Sequence, residues 1–281
     1  MKLFELRKLS INKLLEEGIE RPIYFTDLIL SKILAANKAT LITKYEEEVS
    51  PHLCKELLFM VEQRLKRMPL SYIIGEAEFY GRKFKVGTGC LIPRPETELL
   101  VEEMLKLMPD VKLFADWCTG SACIGITLLL EKSNCSGYGI DSSALALEWA
   151  MKNVDFYNLQ NRFKLICNSE PSKCNIKDKS LDFIIFNPPY IPTSDIDILM
   201  KDVKDFEPRE ALDGGEDGLD VLIKIIKIAP KFIKPQGYIG FETAGNIQID
   251  KIHIIMQKDF KLLKNIYDYN GILRHMIWQL L

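Results

Sequence analysis

Apolar side chains recur at helical spacing near the amino terminus, at Leu3, Leu6, Leu9, Leu14 and Leu15. Positions three or four apart share one face of a helix, so this spacing predicts an amphipathic first helix. Similar patterns predict a second helix over residues 26–37, capped by Thr26, and a third over residues 51–67 with Pro51 in its first turn. Residues 1–68 are therefore predicted to form a small all-helical domain.

The pattern changes after this helical region. Residues 78–86 are typical of two short strands around a turn at Gly81. Residues 69–92 are therefore predicted to form a β-hairpin linker to the domain that follows.

From residue 97 onward, helical and extended patterns alternate. Helices are predicted over residues 97–108, 121–131, 143–157, 219–228 and 247–259. Strands are predicted over residues 113–117, 138–141, 163–167, 181–186, 238–242, 260–269 and 274–280. Such alternation predicts an α/β domain with a mostly parallel, doubly wound sheet. The Asn270-Gly271 pair is a strong hairpin turn and predicts an antiparallel strand near the carboxyl terminus.

Composition narrows the class of protein. The 281 residues, of which 47% are apolar and 27% charged, suit one large and one smaller globular domain. A net charge of −2 weighs against a dedicated nucleic-acid binder. The seven cysteines form no C-x-x-C pair, which disfavours a metal site and suits a reducing cytoplasm. No secretory leader and no apolar run of membrane-spanning length is found, so we expect a cytoplasmic protein.

The residues after the first two strands of the α/β domain indicate a ligand site, since ligands bind at the carboxyl ends of parallel strands. The first strand ends in a tight turn that is either an ordinary connection or a nucleotide-type loop. Its candidate residues are Asp116, Cys118, Thr119, Gly120, Ser121 and Ala122. Asp141 ends the second strand and either caps the next helix or accepts hydrogen bonds from both hydroxyls of a ribose. Together they favour an adenosine-bearing cofactor.

A proline-rich motif, Asn187-Pro188-Pro189-Tyr190, follows the fourth strand. Each proline restricts the residue before it to an extended conformation, which would present Asn187 rigidly. An amide or aromatic amine nitrogen is a poor nucleophile because its lone pair is delocalised. The Asn187 side-chain oxygen and the Pro188 carbonyl can each accept one N–H of such a group and aim its lone pair at a methyl donor. Tyr190 offers a ring face to a planar group. The motif predicts methyl transfer to nitrogen, the alternative being a turn that only ends a strand.

Several segments together resemble the HemK family of protein-glutamine N5-methyltransferases, which modify class-1 peptide chain release factors. Residues 91–98, which include Arg94, are similar to the block before the family's catalytic domain, and residues 187–191 are similar to its catalytic motif. The other similar positions are residues 69–81, residues 207–219, Glu242, Gln248, Asp268, Gly271 and Arg274. Adenine-N6 and some guanine-N2 methyltransferases share the Asn-Pro-Pro-Tyr motif, but the combination is more specific to this family.

The resemblance implies a Rossmann-like class I methyltransferase domain over residues 93–281, with residues 1–68 docking the release factor. S-adenosyl-L-methionine would be the donor, S-adenosyl-L-homocysteine the product and the glutamine of a Gly-Gly-Gln motif the acceptor. The donor would bind the turn after the first strand, Asp141, and Ser169 on the adenine side. Asn187 through Tyr190 would hold the glutamine amide, and Arg94 is either a substrate contact or a surface charge. We expect a monomer with no metal, membrane or nucleic-acid partner.

The chain departs from the family at three places. Cys118 and Ala122 stand where glycine is usual, and glycine lets a backbone approach a ligand closely. We expect these two residues to shift the loop or weaken donor binding. An acidic residue is usual around Ser169. Two other functions stay open: methylation of a nucleic-acid base at adenine N6 or guanine N2, and non-catalytic binding of a release factor by a chain whose donor loop has degenerated.

Overall fold

In the computed structural model, residues 1–107, 110–170 and 173–281 are described. They form two compact units, one of residues 1–75 and 201–206 and the other of residues 76–200 and 207–281. The predicted linker over residues 69–92 is thus divided, because its first residues group with the helical unit and its hairpin groups with the α/β unit.

The first unit is helical. Its helices are α1 (Leu3–Glu16), α2 (Pro22–Ile33), α3 (Lys38–Thr43), α4 (Pro51–Leu65) and α5 (Leu70–Ile74). At the start of α4 the Ser50 hydroxyl accepts a hydrogen bond from the Leu53 amide at 3.2 Å. Helix α2 begins at Pro22, whose fixed φ suits a first helical turn, so Thr26 is buried inside the helix and does not cap it. The core includes Leu6, Leu14, Ile29, Leu57 and Val61.

The second unit alternates strands and helices after a hairpin. Its elements in chain order begin with β1 (Glu76–Phe79), β2 (Arg82–Lys85), α6 (Pro95–Leu107), β3 (Leu113–Trp117), α7 (Cys123–Glu131), β4 (Ser136–Asp141), α8 (Ala144–Phe156), β5 (Phe163–Cys167) and β6 (Leu181–Phe186). Helix α9 (Lys201–Lys204) groups with the first unit. The chain ends with α10 (Asp220–Phe232), β7 (Ile233–Glu242), α11 (Asn246–Met256), β8 (Phe260–Tyr267) and β9 (Leu273–Leu280). The predicted helix over residues 97–108 ends on a residue outside those described.

Seven strands form one sheet in the order β5-β4-β3-β6-β7-β9-β8. The pairs among β3, β4, β5, β6 and β7 are parallel, whereas β9 runs antiparallel to β7 and β8. The predicted α/β class and the antiparallel strand near the carboxyl terminus are confirmed. Strand order reverses around β3, which lies between β4 and β6, so the ends of these three strands meet at one edge.

Both faces of this sheet are covered by apolar side chains. Along β6, Phe183 and Ile185 belong to one buried cluster while Ile184 and Phe186 belong to the other, as the two-residue period of a strand requires. Helix α10 continues past its predicted end at residue 228 and through Pro230, because this extension buries Phe232 in one of these clusters. Among the described residues, no helix is long and apolar enough to cross a membrane.

Candidate active site

A cavity of about 850 Å³, counting the space at its open mouth, lies in the second unit at the carboxyl ends of β3, β4 and β6. Eight of the residues predicted to form the site line it: Arg94, Cys118, Thr119, Gly120, Ser121, Asp141, Asn187 and Pro189. Five lie outside its lining: Asp116, Ala122, Ser169, Pro188 and Tyr190. Ser169 is exposed on the segment after β5 and lies outside the lining of this cavity.

The turn after β3 adopts a left-handed backbone at three positions. Cys118 and Gly120 both have φ 55°, and Ala122 has φ 65°. The Thr119 amide donates to the Ile140 carbonyl at 3.0 Å, which ties the turn to the neighbouring strand. This backbone leads directly into α7, as a ligand-binding loop of such a sheet requires.

The Asp116 carboxylate stabilises this turn through hydrogen bonds. One carboxylate oxygen, Oδ2, accepts hydrogen bonds from the Thr119 hydroxyl at 2.6 Å and from the Gly125 amide at 2.9 Å. Burial raises the pKa of Asp116 to about 7, although these two hydrogen bonds oppose the shift. Asp116 does not line the cavity, and its hydrogen bonds tie the turn to the first residues of α7.

Asp141 ends β4 and lines the cavity. Its Oδ2 accepts the Gly120 amide at 2.9 Å, and its Oδ1 accepts the Ser143 amide at 2.9 Å. Burial raises the pKa of Asp141, and the hydrogen bonds from these amides act in the opposite direction. A carboxylate oxygen can accept more than one hydrogen bond, so both oxygens retain capacity for two neighbouring hydroxyls. The turn and this acid fit the adenosine-bearing cofactor that the sequence predicts.

Cys118 and Ala122 share a left-handed backbone but differ in where their side chains lie. Cys118 lines the cavity, whereas Ala122 is fully buried and does not. We expect Cys118→Gly to tighten donor binding by up to about tenfold, roughly 1.4 kcal/mol, because it removes side-chain atoms from the cavity wall. Calorimetric titration with S-adenosylmethionine measures this change. Ala122→Gly is the matched control and should leave affinity unchanged; an equal effect of both variants would contradict the expectation.

The end of β6 brings Asn187 to the cavity. Its side-chain Nδ2 donates to the Thr97 hydroxyl at 3.2 Å. The two prolines that follow are buried and restrict the backbone of Asn187 and Pro188 to extended conformations. Tyr190 turns its hydroxyl toward Glu242 at 3.0 Å and does not line the cavity, so its ring face is not presented there.

Sequence reasoning gave no role to Thr97 and Glu242, which contact the motif directly. The Thr97 hydroxyl donates to Glu242 at 2.6 Å across 145 positions of sequence. Both residues lie in segments that resemble the HemK family, and this resemblance is the sequence feature that could have identified them as candidates. Their contact with Asn187 and Tyr190 depends on β6 and β7 lying side by side.

Arg94 is held at the cavity by a buried carboxylate. Its guanidinium donates to Glu207 Oε1 at 2.6 Å, and the Ile92 amide donates to Oε2 of the same side chain at 3.0 Å. The Glu207 side chain is only 2% exposed, and the neighbouring Pro208 also lines the cavity. Glu207 thus ties the segment that contains Ile92 and Arg94 to its own segment, 113 to 115 positions later in the chain.

We expect Glu207→Ala to lower the free energy of unfolding of the second unit by about 2 kcal/mol, because Arg94 and the Ile92 amide lose their buried partner. We expect a smaller loss of stability than for a fully buried ion pair because the Arg94 side chain is 29% exposed. Chemical denaturation measures it. Asp178→Ala, which breaks an exposed pair with Lys231, is the control and should change stability by less than about 0.5 kcal/mol. Equal effects of the two variants would contradict the expectation.

Two family models match this chain. The model described as the PrmC N-terminal domain matches residues 5–75, and the model described as the Methyltransferase small domain matches residues 95–202. Solved structures agree on the fold. A methyltransferase from Pyrococcus furiosus has a TM-score of 0.52 at 14% identity and covers 82% of this chain and 98% of its own. A ribosomal protein L11 methylase from Lactobacillus delbrueckii has a TM-score of 0.51 at 15% identity and covers 73% and 89%.

Curated relatives match over most of their length. The release factor glutamine methyltransferase of Thermodesulfovibrio yellowstonii is 37% identical over 255 residues, which cover 89% of this chain and 90% of that protein. The protein of the same name from Aquifex aeolicus is 33% identical over 283 residues and covers 99% and 98%. That from Fusobacterium nucleatum is 36% identical and covers 93% and 74%. The chain therefore belongs to the family of release factor glutamine methyltransferases, which depend on S-adenosylmethionine.

Proposed function

We propose that this chain methylates the side-chain amide nitrogen N5 of the glutamine in the Gly-Gly-Gln motif of class-1 peptide chain release factors, and thereby tunes translation termination. The observation that supports this proposal is the position of Asn187. Its amide lies at the cavity that Asp141 and the turn after β3 also line, and Thr97 holds it there. Family membership supports the same reaction.

S-adenosylmethionine supplies the methyl group when it is bound. The remaining task of the protein is to orient the acceptor, because an amide nitrogen is a weak nucleophile. Asn187 Oδ1 and the Pro188 carbonyl each accept one N–H of the glutamine amide and turn its lone-pair axis toward the donor. Positive charge builds on the nitrogen as the new bond forms, and the same two oxygens stabilise that charge.

The donor site in this proposal consists of the turn after β3 together with Asp141. The two Asp141 oxygens accept the ribose hydroxyls, while backbone amides keep the carboxylate in place. The helical unit docks the release factor, and Arg94 contacts the acceptor from the cavity wall. We propose that the chain acts as a monomer.

A methyl-transfer assay tests the proposal. Labelled S-adenosylmethionine is incubated with the protein and a purified release factor, and in parallel with the same factor whose Gly-Gly-Gln glutamine is changed to alanine. Label on the first factor alone is expected. Label on neither factor, with the donor still bound, would overturn the proposed acceptor. Nucleic acids would then be tested as acceptors, and their binding would be tight and strongly salt-dependent. Absence of donor binding would overturn the proposed reaction.

A further inference from the structure

The buried carboxylate of Glu242 contacts the Asn-Pro-Pro-Tyr motif through Tyr190 and accepts three hydrogen bonds. Its Oε1 accepts the Tyr190 hydroxyl at 3.0 Å. Its Oε2 accepts the Thr97 hydroxyl at 2.6 Å and lies 3.3 Å from His275 Nε2. Glu242, Thr97 and His275 are at most 2% exposed. The Thr97 oxygen in turn accepts the Asn187 side-chain amide at 3.2 Å, so a continuous chain of hydrogen bonds runs from Glu242 to the cavity.

The charge state of this cluster decides which groups donate. Burial opposes a charge on Glu242, but hydrogen bonds from His275, Thr97 and Tyr190 outweigh burial and lower the pKa of this carboxyl. The pKa of the Tyr190 phenol is raised, first by burial and then by the nearby Glu242 carboxylate. Glu242 is therefore an ionised acceptor and Tyr190 a donor. His275 Nδ1 is buried with no hydrogen-bond partner among the described residues, so His275 contacts this cluster through Nε2, which faces the carboxylate.

A hydroxyl has one proton to donate, and the proton of Thr97 is committed to an ionised carboxylate. Only lone pairs of Thr97 then remain to face Asn187. The Asn187 amide must present its NH₂ group to Thr97, which turns its oxygen away from Thr97. We propose that Glu242 and Thr97 are positioning residues that set the orientation of the Asn187 amide, so that its oxygen faces the acceptor nitrogen.

The orientation matters because the two ends of an asparagine amide have opposite hydrogen-bonding character. Asn187 with its oxygen in the cavity accepts an N–H of the acceptor, whereas a flipped Asn187 would place two N–H groups against each other. The expected effect of this orientation on turnover rests on the proposed function. The orientation itself can be observed in the protein without any acceptor.

Substitutions at Thr97 separate orientation from packing. Thr97→Val keeps the shape of the side chain but removes the hydroxyl, and we expect kcat to fall about 10- to 100-fold, since a poorly oriented group costs rate of this order. Donor affinity and the melting temperature should change little. Thr97→Ser restores the hydroxyl and should restore most of kcat. Thr127→Val is the matched control, because the buried Thr127 hydroxyl has no hydrogen-bond partner among the described residues.

A substitution at Glu242 can remove the acceptor of the Thr97 proton. Glu242→Met has a similar side-chain length but no oxygen, so the Thr97 proton is free to point at Asn187 and turn its amide. We expect a fall in kcat of about 100-fold with an unchanged donor dissociation constant. A merely structural role for Glu242 would instead weaken donor binding together with kcat.

The side-chain amide of Asn187 gives a readout that needs no acceptor. In protein labelled with ¹⁵N-asparagine, the Asn187 NH₂ pair is identified by its loss in Asn187→Ala. We expect one proton of the pair to be shifted downfield and to exchange slowly in the wild type and in Thr97→Ser, but not in Thr97→Val. Unchanged amide signals in Thr97→Val and Glu242→Met would overturn the inference. The protein could show the slowly exchanging Asn187 signal and yet transfer no methyl group to a release factor. That result would overturn the proposed function and leave the inference about the Asn187 orientation supported.

Discussion

Asn187→Ala is expected to reduce methyl transfer to a release factor by about 1000-fold, to the limit of detection. The substitution removes one of the two oxygens that we propose orient the acceptor amide and stabilise charge on its nitrogen. Loss of one such preorganised group costs about 100- to 1000-fold in kcat in other enzymes, and loss of orientation adds to this. Single-turnover transfer of labelled methyl to the release factor measures the effect.

Donor binding distinguishes this explanation from a collapsed site. Titration with S-adenosylmethionine should give nearly the wild-type affinity for Asn187→Ala, because Asp141 and the turn after β3 remain in place. Asn265→Ala, on β8 and outside the lining of the cavity, is the matched control and should keep wild-type turnover. Turnover like that of the wild type in Asn187→Ala would remove this residue from the mechanism.

Asp141→Ala should weaken donor binding by about 100-fold, roughly 2.7 kcal/mol. The change removes both oxygens that we propose accept the ribose hydroxyls, and it leaves the Gly120 and Ser143 amides without their partner. Calorimetric titration with S-adenosylmethionine measures the loss. Asp259→Ala, at an exposed carboxylate, is the control and should bind the donor normally. Equal affinities in the two variants would exclude a donor-binding role for Asp141.

The pH dependence of donor binding gives a second test of Asp141. Burial raises its folded pKa, so the free carboxylate is protonated at a higher pH than an exposed aspartate would be. Donor affinity should therefore fall as the pH is lowered through this raised pKa, because a protonated oxygen loses acceptor capacity. Asp141→Asn should bind more weakly at neutral pH and show a flatter profile at acid pH. An identical slope in the wild type and in Asp141→Asn would show that another group titrates.

The period of apolar positions was enough to predict most elements of the second unit. Strands over residues 113–117, 163–167 and 181–186 have the predicted bounds. The first and third of these are short, mostly apolar runs that are buried on both faces of the sheet. Short elements of the first unit were not predicted. Helices α3 and α5 span six and five residues, too few for a helical period to be recognised.

The sequence by itself determined where the site would form, because residues that follow neighbouring parallel strands must meet at one edge. This rule places Cys118, Asp141 and Asn187 around one cavity. Ser169, which the family resemblance implied, follows the edge strand β5, is exposed and lies outside the lining of this cavity. The roles of these residues stay predictions that the variants above test.

Only the tertiary structure decided how the Asn187 amide is oriented. Its partner Thr97 lies 90 positions away in sequence, and Glu242 lies 145 positions from Thr97. No local pattern encodes contacts at such separations, since they arise when α6, β6 and β7 pack together. The buried Glu242 carboxylate accepts the proton of the Thr97 hydroxyl, so Thr97 can only accept a hydrogen bond from Asn187. The direction of each hydrogen bond is set in this way because each group has a fixed number of protons to donate.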